Sequence, residues 1–403
     1  MKPIKIIYTL FITLFFLNQA DSQVTQEWAS TFNGVGNTND ISAAMISDGL
    51  GNIIVTGTTG SSSSSINFCT VKYNSSGVQQ WVAIYNGPEN NNDQALCLVA
   101  DASGNIYVAG ISLNAISDND IVLIKYNPSG IQQWVQSWTG AGNFRDMPNA
   151  ITIDLSGNIY MTGQSGTLTS VNYITLKYNP GGVFQWAKQH SGAKALCIET
   201  DASGNIYVTG DLLSSADFLT IKYNSVGDSL WVRRYGTSST VERVAGLALD
   251  INGNCYITGT KTTGGTDSDF LTIKYDPSRN FQWAVNNDSG NIAKDLEVDA
   301  LGNVYVTGST GVGGSGNIAT IKYNTAGIHQ WFAIYDYLPE VLGDHVNDLE
   351  LDGLGNIYIA GDISKANGTD HDIITVKYNN SGVQQWAAQN MMLPIRSILL
   401  ILY

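Results

Sequence analysis

The acidic and histidine side chains are where this sequence could carry chemistry. Three Asp-x-Asp steps, Asp118 with Asp120, Asp267 with Asp269 and Asp370 with Asp372, place paired carboxylates in segments rich in Gly, Ser and Asn. Closely spaced carboxylate oxygens are the donors that calcium takes. A structural reading competes with the metal. Asp or Asn stands five residues before a repeated lysine seven times over (Asn67, Asp120, Asn172, Asp217, Asp269, Asn317, Asp372), as a strand-entry turn would require. No run has the twelve-residue EF-hand spacing. His345 and His371, beside Asp344 and Asp370, form a second candidate metal set, whereas His190 and His329 stand apart. The G-x-S-x-G, H-E-x-x-H, P-loop and catalytic Cys–His signatures do not occur, so no catalytic or cofactor-binding residue is assigned. Calcium is the one cofactor that the acidic loops would suit.

The elements that must position these residues are repeated. A phrase close to G-N-[aliphatic]-Y-[aliphatic]-T-G begins at Gly51, Gly104, Gly157, Gly204, Gly253, Gly302 and Gly355, at intervals of 47 to 53 residues. After each comes a Lys-Tyr pair (lysines 72, 125, 177, 222, 274, 322 and 377), and nine residues beyond each lysine a tryptophan (81, 134, 186, 231, 283, 331 and 386). One repeat holds four apolar runs of strand length, here termed A to D, each bounded by Gly, Asn, Asp or Ser. A capped 3.6-residue apolar period, the mark of a helix, is absent from the mature chain.

Four short strands cannot bury both faces of their own sheet, but sheets stacked around an axis can. The expected fold is therefore an all-β, seven-bladed propeller of four-stranded antiparallel blades, with an eight-bladed or truncated ring as the alternative. Strand A, small and apolar, belongs at the axis, and strand D at the rim. An Asp three residues before each G-N glycine suits a tight A–B hairpin, and N-x-x-G suits the C–D turn. In the fifth repeat Asp276-Pro277-Ser278-Arg279-Asn280 replaces that turn, with Asn280 expected in the left-handed position. The seven tryptophans read as packing between blades rather than as a sugar-stacking array.

Bulk properties narrow the function. The net charge is −14, which disfavours nucleic acid or anionic membrane as partner. Residues 1–22 read as a cleaved signal peptide: Lys2 and Lys5, an apolar core from Ile6 to Leu17, then Ala20-Asp21-Ser22. Residues 23–390 form the propeller, with no membrane span in the mature chain and a monomer expected. The four cysteines read as buried small hydrophobes, not disulfides. Trp28, in a segment like strand D, is expected to complete the blade of the seventh repeat and close the ring. Residues 391–403 are an atypical apolar tail, and Ser397 to Tyr403 lies where strand A of a further repeat would begin.

The phrases D-x-x-G-N-I-Y-V-T-G, T-I-K-Y-N and G-x-Q-Q-W together resemble the bacterial β-propeller repeat known as the SBBP repeat, over roughly Trp28 to Gln389. That resemblance implies an exported or cell-surface bacterial protein with a scaffold role and carries over no catalytic residue. The expected function is a non-enzymatic binding scaffold that engages a protein or glycan through the variable D–A and B–C loops. A polysaccharide lyase or hydrolase on a propeller, and a purely structural surface protein, are the alternatives. Carboxylates converging at the axis are the feature that would favour the enzyme.

Overall fold

A computed structural model describes residues 27–34, 40–60, 65–114, 119–140, 144–167, 170–265, 267–311, 316–336, 343–364 and 371–390. The signal-peptide reading and the 391–403 tail lie outside them. Among the described residues, twenty-eight strands form seven antiparallel sheets of four, each in chain order, and there is no helix. The chain is a seven-bladed β-propeller. Its blades span 41–85, 93–138, 144–191, 193–235, 240–287, 292–335 and 343–390.

Strand A is innermost, as expected, because the A strands of consecutive blades pack on one another. The D strands carry mostly exposed and half-buried residues at the rim. Buried Val, Ile, Leu and Tyr from strands B and C fill the spaces between blades.

Strand register explains the nine-residue Lys-to-Trp spacing. A bulge where C meets D sets each lysine directly opposite its tryptophan (Lys125 opposite Trp134, Lys322 opposite Trp331), and strand B adds a tyrosine to the same row (Tyr107, Tyr305). Directly paired residues share a face, so Tyr, Lys and Trp all confront the next blade. There Lys177 Nζ and Trp186 Nε1 both donate to Ser225 O, at 2.7 and 3.3 Å. Lys274 and Trp283 share Thr325 O, and Lys322 and Trp331 share Asn380 O. The tryptophan ring lies on a C–D turn glycine such as Gly327 or Gly382, at φ +76° and +77°, where a Cβ would collide with the indole. The tryptophans are inter-blade packing.

Five lysines of this row are buried cations. Lys72, Lys177, Lys222, Lys274 and Lys322 are buried, and each of the last four holds its ammonium 4.5–5.2 Å from the centroid of the strand-B tyrosine. Burial lowers the Lys322 pKa, partly offset by attraction to Asp299. Replacing it by methionine keeps the stem but removes the cation from the Tyr305 face and leaves Asn380 O without that donor. Lys322→Met is expected to cost about 2 kcal/mol, read by urea denaturation.

The turns follow the sequence with one correction. Asp48, Asp101, Asp154, Asp201, Asp250, Asp299 and Asp352 each accept backbone N–H bonds within the A–B hairpin, and its glycine takes positive φ. In the fifth blade Arg279, not Asn280, takes the left-handed position (φ +80°), since it stands third after Asp276 as glycine stands third after Asn elsewhere. The cysteines are free; Cys69, Cys97 and Cys255 are buried and Cys197 is half-buried.

The ring-closure expectation is overturned. The seventh blade draws all four strands from the seventh repeat, Trp386 pairing opposite Lys377, and residues 27–34 join no sheet. Strand Gln384–Asn390 is continuous with its own C strand through a tight turn and so takes that edge first.

Candidate functional site

Most of the residues with candidate chemistry serve the frame. Asp120 is half-buried and accepts from Asn114 Nδ2 at 3.3 Å; Asp269 is buried and accepts from Asn286 Nδ2 of strand D at 2.7 Å. Asp217, at the same register, pairs with Arg234. Asp267 is exposed and Asp372 buried, while Asp118 and Asp370 lie outside the described residues. His345 is half-buried and stands across from Asp362, which pairs in turn with Ile373. Asp344 and Asp372 flank Ile363 on the opposite face of the sheet, so His345 does not converge with them. His371 begins strand C opposite Ser364, and its side chain is not described. Among the described residues no group of three or more His, Cys, Asp and Glu is placed to hold a metal ion.

Other carboxylates on the variable face, Asp93 and Asp146 buried and Asp40 half-buried, hold the D–A loops. Gly34 N–H donates to Asp40 at 2.8 Å and Gly87 N–H to Asp93 at 2.7 Å, and Gly140 N–H donates to Asp146. The six-residue Gly-to-Asp spacing recurs in all three, a signal that sequence reading missed.

The unusual charge lies at the axis, on the inner strands. Counting back two from the A–B aspartate, the blades carry Ile46, Val99, Thr152, Glu199, Ala248, Glu297 and Glu350; counting back four, Ala44, Cys97, Ala150, Cys197, Gly246, Asp295 and Asp348. Three glutamates and two aspartates therefore line one side of the bore, on strands Ala193–Thr200, Ile292–Val298 and Gly343–Leu351. Each glutamate is the inner end of the row that continues as Tyr, Lys and Trp: Glu297 pairs opposite Tyr305, and Glu350 opposite Tyr358. Sequence reading took strand A as uniformly apolar and looked to the loop face. The signal was present in the departure of blades four, six and seven from the small or apolar residues of the others.

Burial raises all five carboxylates, and Asp295, Glu297 and Glu350 are raised further by their acidic neighbours. Burial pushes Glu199 up to about 7, with the Thr200 N–H holding it partly down. Burial, then the charges of Glu350 and Glu199, push Glu297 up to about 8. Burial raises Glu350, and Asp348 adds to it. Asp295 is driven well above its ordinary value by burial and then by Asp348 and Glu297, although Leu296 N–H and Leu349 N–H both donate to it, at 2.8 and 3.1 Å. Burial also raises Asp348, offset by its hydrogen bond with Asp295. Asp348 and Glu350 are nonetheless solvent-exposed and Glu199, Asp295 and Glu297 half-buried. Each is thus crowded by protein while part of it stays open to solvent. Like charges there retain protons near neutrality and favour any cation that relieves the repulsion.

The fold is shared with proteins of varied roles. The chain resembles the Dos1 propeller (TM-score 0.58, 10% identity, covering 87% of this chain and 82% of that one) and Sqt1 from Chaetomium thermophilum (0.54, 9%, 85% and 82%). It also resembles the polysaccharide lyase Uly1 (0.52, 11%, 90% and 95%). At these identities the likeness is one of fold alone. No family model and no curated protein matches the chain.

Proposed function

We propose that this chain is an exported, non-enzymatic binding scaffold of the SBBP-repeat type, whose partner is a protein that presents cationic side chains to the axial bore. The carrying observation is the one-sided set Glu199, Asp295, Glu297, Asp348 and Glu350. Carboxylates raised by burial and, for Asp295, Glu297 and Glu350, by acidic neighbours favour an incoming ammonium or guanidinium, which stabilises their charged form. Axial carboxylates are also the feature expected of a hydrolase, which is therefore the second reading; the same field repels uronate and sulfated polymers, so a lyase acting on acidic polysaccharide is the poorer fit. The variable D–A and B–C loops supply the remaining contact surface in this reading.

The test uses the chain from Gln23 onward with two probes, a poly-lysine peptide and polygalacturonate. Calorimetry is expected to show salt-sensitive binding of the peptide, weakened about tenfold or more in Glu199→Gln/Glu297→Gln/Glu350→Gln, and none of the polygalacturonate. Peptide binding unchanged in the triple variant, or catalytic turnover of the polymer, overturns the proposal.

A further inference from the structure

The A–B and C–D turns lie on the face opposite the variable loops, and their tips are apolar. Leu50, Leu155, Ile251, Leu301 and Leu354, in five A–B turns, are 77–90% exposed. Six aliphatic side chains of the C–D turns, Ile131, Val226 and Ile328 among them, are 53–64% exposed. Among the described residues, every large apolar side chain more than 56% exposed belongs to these turns. The turns do not require them. In the second and fourth blades Asp101 and Asp201 accept the same turn N–H groups, and only Ala102, Ser103, Ala202 and Ser203 stand at the tips. Aliphatic side chains kept in water where folding has no use for them mark a contact surface.

The tips adjoin one another within and between blades. Pro180 Cγ lies 3.3 Å from where a Cβ on Gly157 would stand, so the A–B and C–D turns of the third blade touch. Ile251 and Leu301 line one cleft with Thr325, which joins the fifth blade to the sixth. The face also carries little uncompensated charge. Five A–B aspartates are matched by the buried lysine of their own blade. Lys72 pairs with Asp48 at 2.9 Å and Lys222 with Asp201 at 3.5 Å, while Asp154, Asp250 and Asp299 attract Lys177, Lys274 and Lys322. Lys125 and Lys377 hold the same register in the other two blades. Asp228, Asp276 and Arg279 are the only other charged residues in the A–B and C–D turns, so the excess of −14 lies almost wholly elsewhere.

We infer that this face is covered by the same face of a second copy, so that the chain pairs about a two-fold axis where sequence alone led to a monomer. Scaled by their exposures, the eleven aliphatic side chains, at about 100 Å² each, present roughly 800 Å² of apolar surface per copy. A standard stable interface takes about 800 Å² from each partner. Two such faces meet without the repulsion that the net charge imposes elsewhere, and each offers the other a surface of its own kind. A lipid surface fits less well, because Arg279 is the one basic side chain within the turns and cannot by itself hold phosphate headgroups. Pairing leaves both variable faces outward, so it holds whatever the bore binds.

Sedimentation equilibrium of the chain from Gln23 onward, at micromolar concentration, is expected to show a dimer. Leu155→Ala/Ile251→Ala/Leu301→Ser brings three turns to the small residues of the second blade. It is expected to weaken pairing about a hundredfold or more while thermal stability is kept. A monomer, an open series of larger oligomers, or a dimer unmoved by the triple variant overturns the inference. Amide exchange in the parent chain is a separate readout that needs no variant. Peptides of the A–B turns are expected to exchange more slowly as concentration rises, with the B–C loops unchanged, and exchange equal at all concentrations overturns the pairing. A monomeric chain that floats with phosphatidylcholine vesicles also overturns it, and would make the occupant a lipid surface.

Discussion

Gly308→Ala is expected to destabilise the propeller by about 3 kcal/mol or more, whereas Gly353→Ala shifts stability by less than about 0.5 kcal/mol. Gly308 ends the T-G phrase of the sixth blade, on strand B. Opposite it strand A carries one extra residue, Lys294, between Ala293 and Asp295, and the bulge drives the two backbones together. A Cβ on Gly308 would fall on Ile292 O and stand 2.6 Å from Phe270 Cζ of the previous blade. Neither neighbour can yield, because one is backbone and the other a fully buried ring. The same carbonyl clash awaits Gly57, Gly110, Gly163, Gly210, Gly259 and Gly361, so the repeated glycine is a requirement of the bulge. Gly353, in an A–B turn, has nothing within 4 Å of its would-be Cβ. Urea denaturation of the two variants makes the comparison, and near-equal midpoints would refute the bulge account.

Thermal stability is expected to peak between about pH 4 and 5 and to fall steadily toward pH 8. Glu199 and Glu297 have folded-state values near 7 and 8 against an ordinary 4.5. Below 4.5 both states keep these protons and nothing is lost. Above it the unfolded chain releases them while the folded chain holds them, so proton release favours unfolding until the folded values are passed. The A–B aspartates act in the opposite sense. Burial raises Asp48, but hydrogen bonds from Asn52 and Lys72 and from the Asn52 and Leu50 backbones outweigh it, leaving the group at about 2. Asp101, Asp201 and Asp352 are lowered by the same balance. Their contribution is present above the ordinary 3.8 and is lost as pH falls toward 2. Calorimetric scans from about pH 2 to 9 should show both limbs. Glu199→Gln/Glu297→Gln should flatten the alkaline limb and leave the acid limb unchanged. A Tm that is level or rising between about pH 5 and 8 in the parent chain would contradict the axial field.

The sequence by itself determined the blade. Strand order, the aspartate-bridged A–B hairpin, the placement of strand A at the axis and the packing role of the tryptophans all follow from spacings within some fifty residues. Those features rest on hydrogen bonds and side-chain alternation between neighbours in the chain, which short-range patterns encode seven times over. What the tertiary structure decided concerns groups that meet across blades. Lys322 becomes a buried cation only because the Asn380 carbonyl of the next blade reaches it. Glu297 feels the charge of Glu199 although the two stand on different blades with a whole blade between them. Trp28, whose surroundings read as strand D, was assigned to the seventh blade from sequence and sits instead on the first. A repeat specifies each blade's own hydrogen bonds. Which residues share the bore, and how the last blade meets the first, depend on contacts between segments 50 to 350 residues apart, for which no local pattern exists.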